Sequence, residues 1–193
     1  MRARRIAALA GLFLLMAAAA ASAGQSKTPE RLGIGRPATP DEIAAWDIDV
    51  RPDGVGLPPG SATPADGAPF YAARCASCHG KTGKEGPNDR LVGRLPNDAF
   101  PFGRDPSAPH TIGNYWPYAT TVFDYIRRAM PPDAPGSLTD NQVYALTAYL
   151  LHLNDLIPAD AVIDAKSLPK VNMPARDHFV VSPRGGPKSV PKR

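Results

Sequence analysis

Residues 70–83 read FYAARCASCHGKTG, from Phe70 to Gly83, and hold both cysteines of the 193-residue chain. Cys75 and Cys78 are separated by two residues and followed directly by His79. Such a stretch admits three chemistries: a redox dithiol or disulfide, half of a metal site, or an anchor for haem. A thioredoxin-like dithiol calls for a βαβ pattern around it, and the flanking residues carry none. A tetrahedral zinc site needs a second pair of cysteines or histidines at metal spacing, and the sequence has no such pair. C-x-x-C-H accounts for all three residues at once. Two thiols one helical turn apart can each bond a vinyl edge of one porphyrin, and the adjacent imidazole then lies under the iron. Cys75 and Cys78 are thus expected to attach one haem c covalently, with His79 as its proximal ligand; a disulfide or dithiol is the plainer alternative.

The chain begins MRARRIAALAGLFLLMAAAAASAG, with Arg2, Arg4 and Arg5 before an apolar run that ends at Ala21-Ser22-Ala23. This is the layout of a signal peptide over residues 1–23, cut before Gly24 for export to the periplasm, where thiols meet oxidising conditions. An uncleaved anchor is the alternative, but the run is alanine-rich and short for a span. No later stretch is apolar enough to cross a bilayer, so no membrane span is expected in the mature chain. The formal charge of +4 includes the three leader arginines and falls to about +1 without them. Arg184, Lys188, Lys192 and Arg193 then concentrate the remaining positive charge at the C-terminal end, so the high pI is an end effect. Nucleic-acid binding needs a basic face interleaved with reader residues, and none is present.

Three zones follow the leader. Residues 24–64 and 158–193 are proline-rich and short of periodic segments, whereas 65–157 carries helical patterns. In the first flank Thr39-Pro40-Asp41-Glu42 supplies a capping threonine, a first-turn proline and a capping-box glutamate, which predicts a short helix from Pro40 to about Trp46. Asp47–Val50 alternates like an extended edge, and Arg51-Pro52-Asp53-Gly54 reads as a turn. Ile43, Trp46, Ile48 and Val50 need an apolar surface, either on the chain's own domain or on a partner.

In the middle zone a first helix leads from about Ala65 into Cys75, with Gly67 and Tyr71 on one face. A second runs from Tyr118 to Ala129 and stops before Pro131-Pro132. The last helix opens on Thr139 and Gln142 as a capping box and repeats Val143, Leu146, Tyr149, Leu150 and Leu153 on one stripe. Gly67 allows that stripe to cross the first helix at close range.

Met1 and Met16 belong to the leader, so only Met130 and Met173 can offer a thioether to iron. Met130 stands where a helix unwinds within the middle zone and is the expected sixth ligand; Met173, in KVNMPARD, is the alternative, and packing is methionine's ordinary role. Trp116 and Tyr118 are expected to wall the haem pocket and to offer N–H and O–H groups to its propionates, ordinary core being the plainer reading. His110, His152 and His178 are expected to serve other ends.

GAPFYAARCASCHG, GPNDRLVG, a helix ending RRAMPPD, and LTAYLLHLN together resemble a class I c-type cytochrome across the middle zone. The resemblance implies an all-α fold in which the first and last helices cross and haem lies between them, here with long irregular N- and C-terminal extensions. It also implies that Pro87 offers its carbonyl to the Nδ1–H of His79. A narrower likeness extends through LGIGRPATPDEIAAWDIDVRPDGVGLPPGS, YWPYATTVFDYIRRAMP and SLTDNQVYALTAYLLHLN, which are similar to the cytochrome subunit of the periplasmic sulfane dehydrogenase of sulfur oxidation. That implies a molybdenum-cofactor dehydrogenase subunit as electron donor and a small cytochrome c or oxidase as acceptor. Better-known members carry a second haem domain, and this chain has one C-x-x-C-H. The chain is then an electron-transfer subunit with no catalysis of its own; a free-standing shuttle, or a haem enzyme with an open sixth position, are the alternatives.

Overall fold

The computed structural model describes residues 33–96 and 99–179. The expected signal peptide, and the end of the C-terminal flank from residue 180, lie outside them. Two units are distinct, one ending at Ile43 and one beginning at Ala44.

The short helix α1 spans Pro40–Trp46. Its start is the predicted capping box: the Glu42 carboxylate accepts the Thr39 N–H at 2.8 Å, and Thr39 Oγ1 accepts the Glu42 N–H at 3.3 Å. Arg36 forms an ion pair with the same carboxylate.

The second unit is built on three helices. The first, α2, covers Pro64–Arg74 and opens on a capping box between Thr63 and Asp66; one further turn, α3, covers Ala76–His79. Then come α4, Ala119–Ala129, and α5, Asp140–Leu153, the latter starting at the predicted Thr139–Gln142 box. Helices α2 and α5 cross where Gly67 lies against the backbone of α5: a Cβ on Gly67 would stand 2.0 Å from the Ala145 carbonyl oxygen. Only a residue without a side chain permits that approach. The core they enclose contains Tyr71, Val122, Phe123, Val143, Tyr144, Leu146 and Leu151, each 2% exposed or less.

The core does not stop at residue 157. Ile163, Leu168, Met173 and Ala175 are also buried, 3% exposed or less. A two-residue antiparallel ladder, β1 (Ser61–Ala62) with β2 (Ile163–Asp164), ties the C-terminal flank to the entrance of α2. Asp164 then accepts the N–H groups of Lys166 and Ser167, each at 2.7 Å, and so holds the turn that drives Leu168 inward. The expected irregular extension is therefore irregular yet packed. Prolines such as Pro169 and Pro174 deprive it of helical period without preventing burial.

The segment Asp47–Val50, expected to run extended, belongs to no helix or strand and has no partner strand among the described residues. Side chains of α4 satisfy it instead. Asp124 accepts the Val50 N–H at 3.2 Å, Arg127 donates to the Ile48 carbonyl at 3.4 Å, and Arg128 pairs with Asp49 at 2.6 Å. The turn at Arg51–Gly54 closes with a 2.9 Å hydrogen bond from the Gly54 N–H to the Arg51 carbonyl. Val50 and Leu57 pack against the core, whereas Trp46 is 85% exposed. Ile48 and Val50 thus belong to the chain's own surface, and Trp46 does not.

Candidate functional site

The end of α2 sets the geometry of the cysteines. Cys75, at φ −120° and ψ −34°, closes α2 and begins α3. Its carbonyl accepts the N–H groups of Cys78 at 3.1 Å and His79 at 2.9 Å, so C-x-x-C-H wraps one turn and places its thiols a turn apart. Gly80, at φ +82°, ends the turn with a conformation that favours glycine. Its carbonyl receives the buried Tyr71 hydroxyl at 2.9 Å. Both cysteines are free thiols and half-buried, not a disulfide. Burial pushes the Cys75 thiol up to about 11, the Arg74 charge opposing it, so at neutral pH the thiol stays protonated.

His79 is held from one side. Its Nδ1 lies 2.8 Å from the Asp89 carbonyl oxygen. A carbonyl only accepts, so Nδ1 carries the proton and the Nε2 lone pair is left for a metal. The resemblance implied Pro87 in this role, and the structure corrects it to Asp89. The Asn88 N–H is spent on the Cys78 carbonyl at 2.9 Å, which turns the strap so that the carbonyl two residues beyond Pro87 meets the ring. The strap approaches closely because Gly86 has no side chain: a Cβ there would lie 2.2 Å from the Cys78 oxygen. Before it, Glu85 accepts the Thr82 hydroxyl at 2.5 Å and the Thr82 and Lys84 N–H groups at 3.0 Å each. The Thr82 hydroxyl and then its N–H hold the Glu85 carboxyl down at about 2.

Met130 closes α4 in an extended conformation, its N–H bonded to the Ile126 carbonyl. It is half-buried at the margin of the core, as are Cys75, Ala76, Leu91 and Trp116. Met173 is 2% exposed and packed within the core. This donor set fits a haem: two thiols one turn apart, an imidazole with a free nitrogen, a half-exposed thioether and an uncovered apolar margin. A protein-only metal cage finds no group of three His, Cys, Asp or Glu among the described residues.

Trp116 meets the half-exposed Tyr125 edge to face at 5.6 Å. Tyr118 precedes α4 and lines a cleft of about 620 Å³ with Pro52, Asp53, Lys166, Lys170 and Arg176, the Arg176 guanidinium 5.7 Å from its ring centroid. His110 stacks on Tyr115 at 3.9 Å and His178 on Phe102 at 4.2 Å, so both imidazoles belong to an aromatic cluster. His152 lies in the last turn of α5, 3.3 Å from the Ile157 carbonyl. Asp89, Gly86 and Asn154 escape a motif-based reading. Only Asn154 leaves a signal, as an asparagine directly after an apolar helix.

A family model described as cytochrome C oxidase, cbb3-type, subunit III matches residues 62–150. A crystal structure of the sulfane dehydrogenase SoxCD from Paracoccus pantotrophus contains a chain similar to this one at 41% identity, with a TM-score of 0.70, over 80% of this chain and 74% of that one. No curated protein matches. No helix among the described residues is long and apolar enough to cross a membrane.

Proposed function

Because the chain belongs to the class I c-type cytochromes, in the family of the sulfane dehydrogenase SoxCD, we propose that it is the electron-transfer subunit of a periplasmic molybdenum-cofactor dehydrogenase that oxidises sulfur compounds. Electrons pass from that partner to this chain and onward to a small cytochrome c or an oxidase. The observation that carries the reading is His79 itself, set within C-x-x-C-H and pinned through Nδ1 by the Asp89 carbonyl with Nε2 free. One haem c would be attached through Cys75 and Cys78, and when bound it supplies one-electron exchange at iron.

The chain's own residues do the rest. His79 supplies the proximal nitrogen, and the Asp89 carbonyl holds the ring's proton and orientation. Met130 would hold the iron through its thioether; its side chain is half-buried at the core margin, whereas Met173 is committed to the core. A His–Met pair raises the potential and suits the site to accepting electrons. Trp116 and Tyr118 offer an N–H and an O–H to the propionates. Ile34, Ile43 and Trp46, all exposed, are the docking anchors of the first flank. Residues 1–23 act as the signal peptide that delivers the chain to the periplasm.

Replacing Met130 with alanine tests the ligand set. The haem should remain attached through both cysteines, the sixth position should open to a high-spin spectrum, and the potential should fall. An unchanged spectrum and potential would assign the sixth ligand elsewhere.

A further inference from the structure

We infer that Asn154, the residue that closes the last helix, is a positioning residue for the His79 imidazole and thereby sets the redox poise of the site. The inference rests on His79 being the iron ligand.

Asn154 is 1% exposed and 75 positions from His79 in sequence. Its Oδ1 accepts the N–H groups of Gly93 at 2.9 Å and Gly113 at 3.1 Å. Its Nδ2 donates to the carbonyls of Leu150 at 2.8 Å and Leu91 at 3.3 Å. Two donors and two acceptor contacts use its full capacity. One side chain thus joins the end of α5, the loop before Trp116, and the strap that carries Asp89. Gly113 has to be glycine for this: a Cβ there would lie 2.7 Å from Asn154 Oδ1.

The strap has other supports beyond Asp89: the Arg90 guanidinium donates to the Lys84 carbonyl at 3.1 Å, and the Leu95 N–H to Asn114 Oδ1 at 2.7 Å. The N–H groups of Leu91 and Val92 converge on the Gly83 carbonyl at 2.9 and 3.0 Å. The Leu91 carbonyl also receives the Ile112 N–H at 3.1 Å, and the Gly93 carbonyl receives the Thr111 hydroxyl at 2.5 Å. On the other side of Asp89, the Asn88 N–H is tied to Cys78. The Asp89 carbonyl is therefore suspended between an anchor at the cysteines and a second set of anchors at Gly83, Asn154 and Thr111. Its distance from Nδ1 depends on both. Removing Asn154 leaves the half-buried Gly93 and the buried Gly113 N–H groups without a partner, and the strap must move to find water. A weaker Nδ1–H bond makes the imidazole a poorer donor, stabilises the ferric state less, and raises the potential.

The test uses the full-length holoprotein in four variants: Asn154→Ala, Thr111→Val, Thr111→Ser and Tyr144→Phe. The last removes a hydrogen bond to the Pro58 carbonyl, remote from the strap, and serves as a control for lost stability alone. In Asn154→Ala the potential should rise and solvent exchange of the His79 Nδ1–H, followed by NMR, should quicken several-fold. Thr111→Val should do the same to a lesser degree, Thr111→Ser should restore wild-type values, and Tyr144→Phe should lower the melting temperature without moving either signal. Potential and exchange unchanged in Asn154→Ala, with only the melting temperature lowered, would overturn the inference. If Asn154→Ala does not fold, Thr111→Val against Thr111→Ser decides the matter alone. A wild-type spectrum without histidine-ligated haem would instead overturn the functional reading, and this inference with it.

Discussion

Asp89 presents its carbonyl oxygen 2.8 Å from Nδ1 of His79, ten residues along the chain from it. That contact makes the strap over the cysteine turn part of the site. Residues that place the strap should therefore affect haem attachment and potential as well as stability.

Gly86 gives the first prediction. Alanine there would put a methyl 2.2 Å from the Cys78 oxygen and 2.4 Å from the His79 carbonyl carbon, with backbone as the obstacle on both sides. Gly86→Ala should cost about 1–3 kcal/mol, in the range for overpacked sites, and lower the yield of attached haem. Thermal unfolding and the haem stain of a denaturing gel measure the two effects.

Gly67 gives the second. The crossing of α2 and α5 leaves no room for a side chain at this position, and the obstacle is the Ala145 peptide, which cannot rotate away. Gly67→Ala should destabilise the fold by about 3 kcal/mol, the upper end for small-to-large changes. A denaturant midpoint equal to wild type would refute the crossing.

Glu85 links the strap to pH. Its folded value of about 2 lies below the ordinary 4.5, because the Thr82 hydroxyl and nearby N–H groups favour the carboxylate. A depressed carboxyl stabilises the fold fully above its unfolded value, and the contribution fades as pH falls toward the folded value. Wild type should melt above Glu85→Gln at neutral pH, and the gap should close between about 4.5 and 2. A gap that stays constant across that window would show that the ionised form contributes nothing.

Docking can be tested without disturbing the core. Ile48–Val50 are pinned to α4, so a truncation through residue 60 would damage the cytochrome itself. Deletion of residues 24–46 avoids this, and Trp46→Ala is a finer probe. A buried interface tryptophan contributes about 2 kcal/mol or more, so Trp46→Ala should weaken binding to the dehydrogenase by about 30-fold with the haem spectrum intact. Full affinity in both variants, read by titration calorimetry, would remove the first flank from the interface.

What could be read in advance follows from how local each signal is. The capping boxes at Thr39 and Thr139 were legible because a threonine and a glutamate or glutamine three residues on identify each other. The box at Thr63 uses Asp66 in that place and so falls outside the usual template. The cysteine turn was legible from C-x-x-C-H alone. The burial of Leu168 and Met173 was not, since a proline-rich segment has no period to betray an inward face. The partner of His79 was missed by two residues because it is a backbone carbonyl. Its direction depends on the turn around Asn88, and no side chain records that. Asn154 was missed for a related reason: three of its four partners are backbone groups of distant loops, at Leu91, Gly93 and Gly113.

The central claim is that electrons from a sulfur compound reach this haem through a molybdenum-cofactor partner. Stopped-flow mixing of the oxidised holoprotein with that dehydrogenase and a sulfane substrate tests it most directly, with absorbance reporting haem reduction. The account predicts that the haem is reduced in step with substrate oxidation and fast enough to sustain turnover. A haem that stays oxidised, while the same dehydrogenase reduces an artificial dye with that substrate, would contradict it.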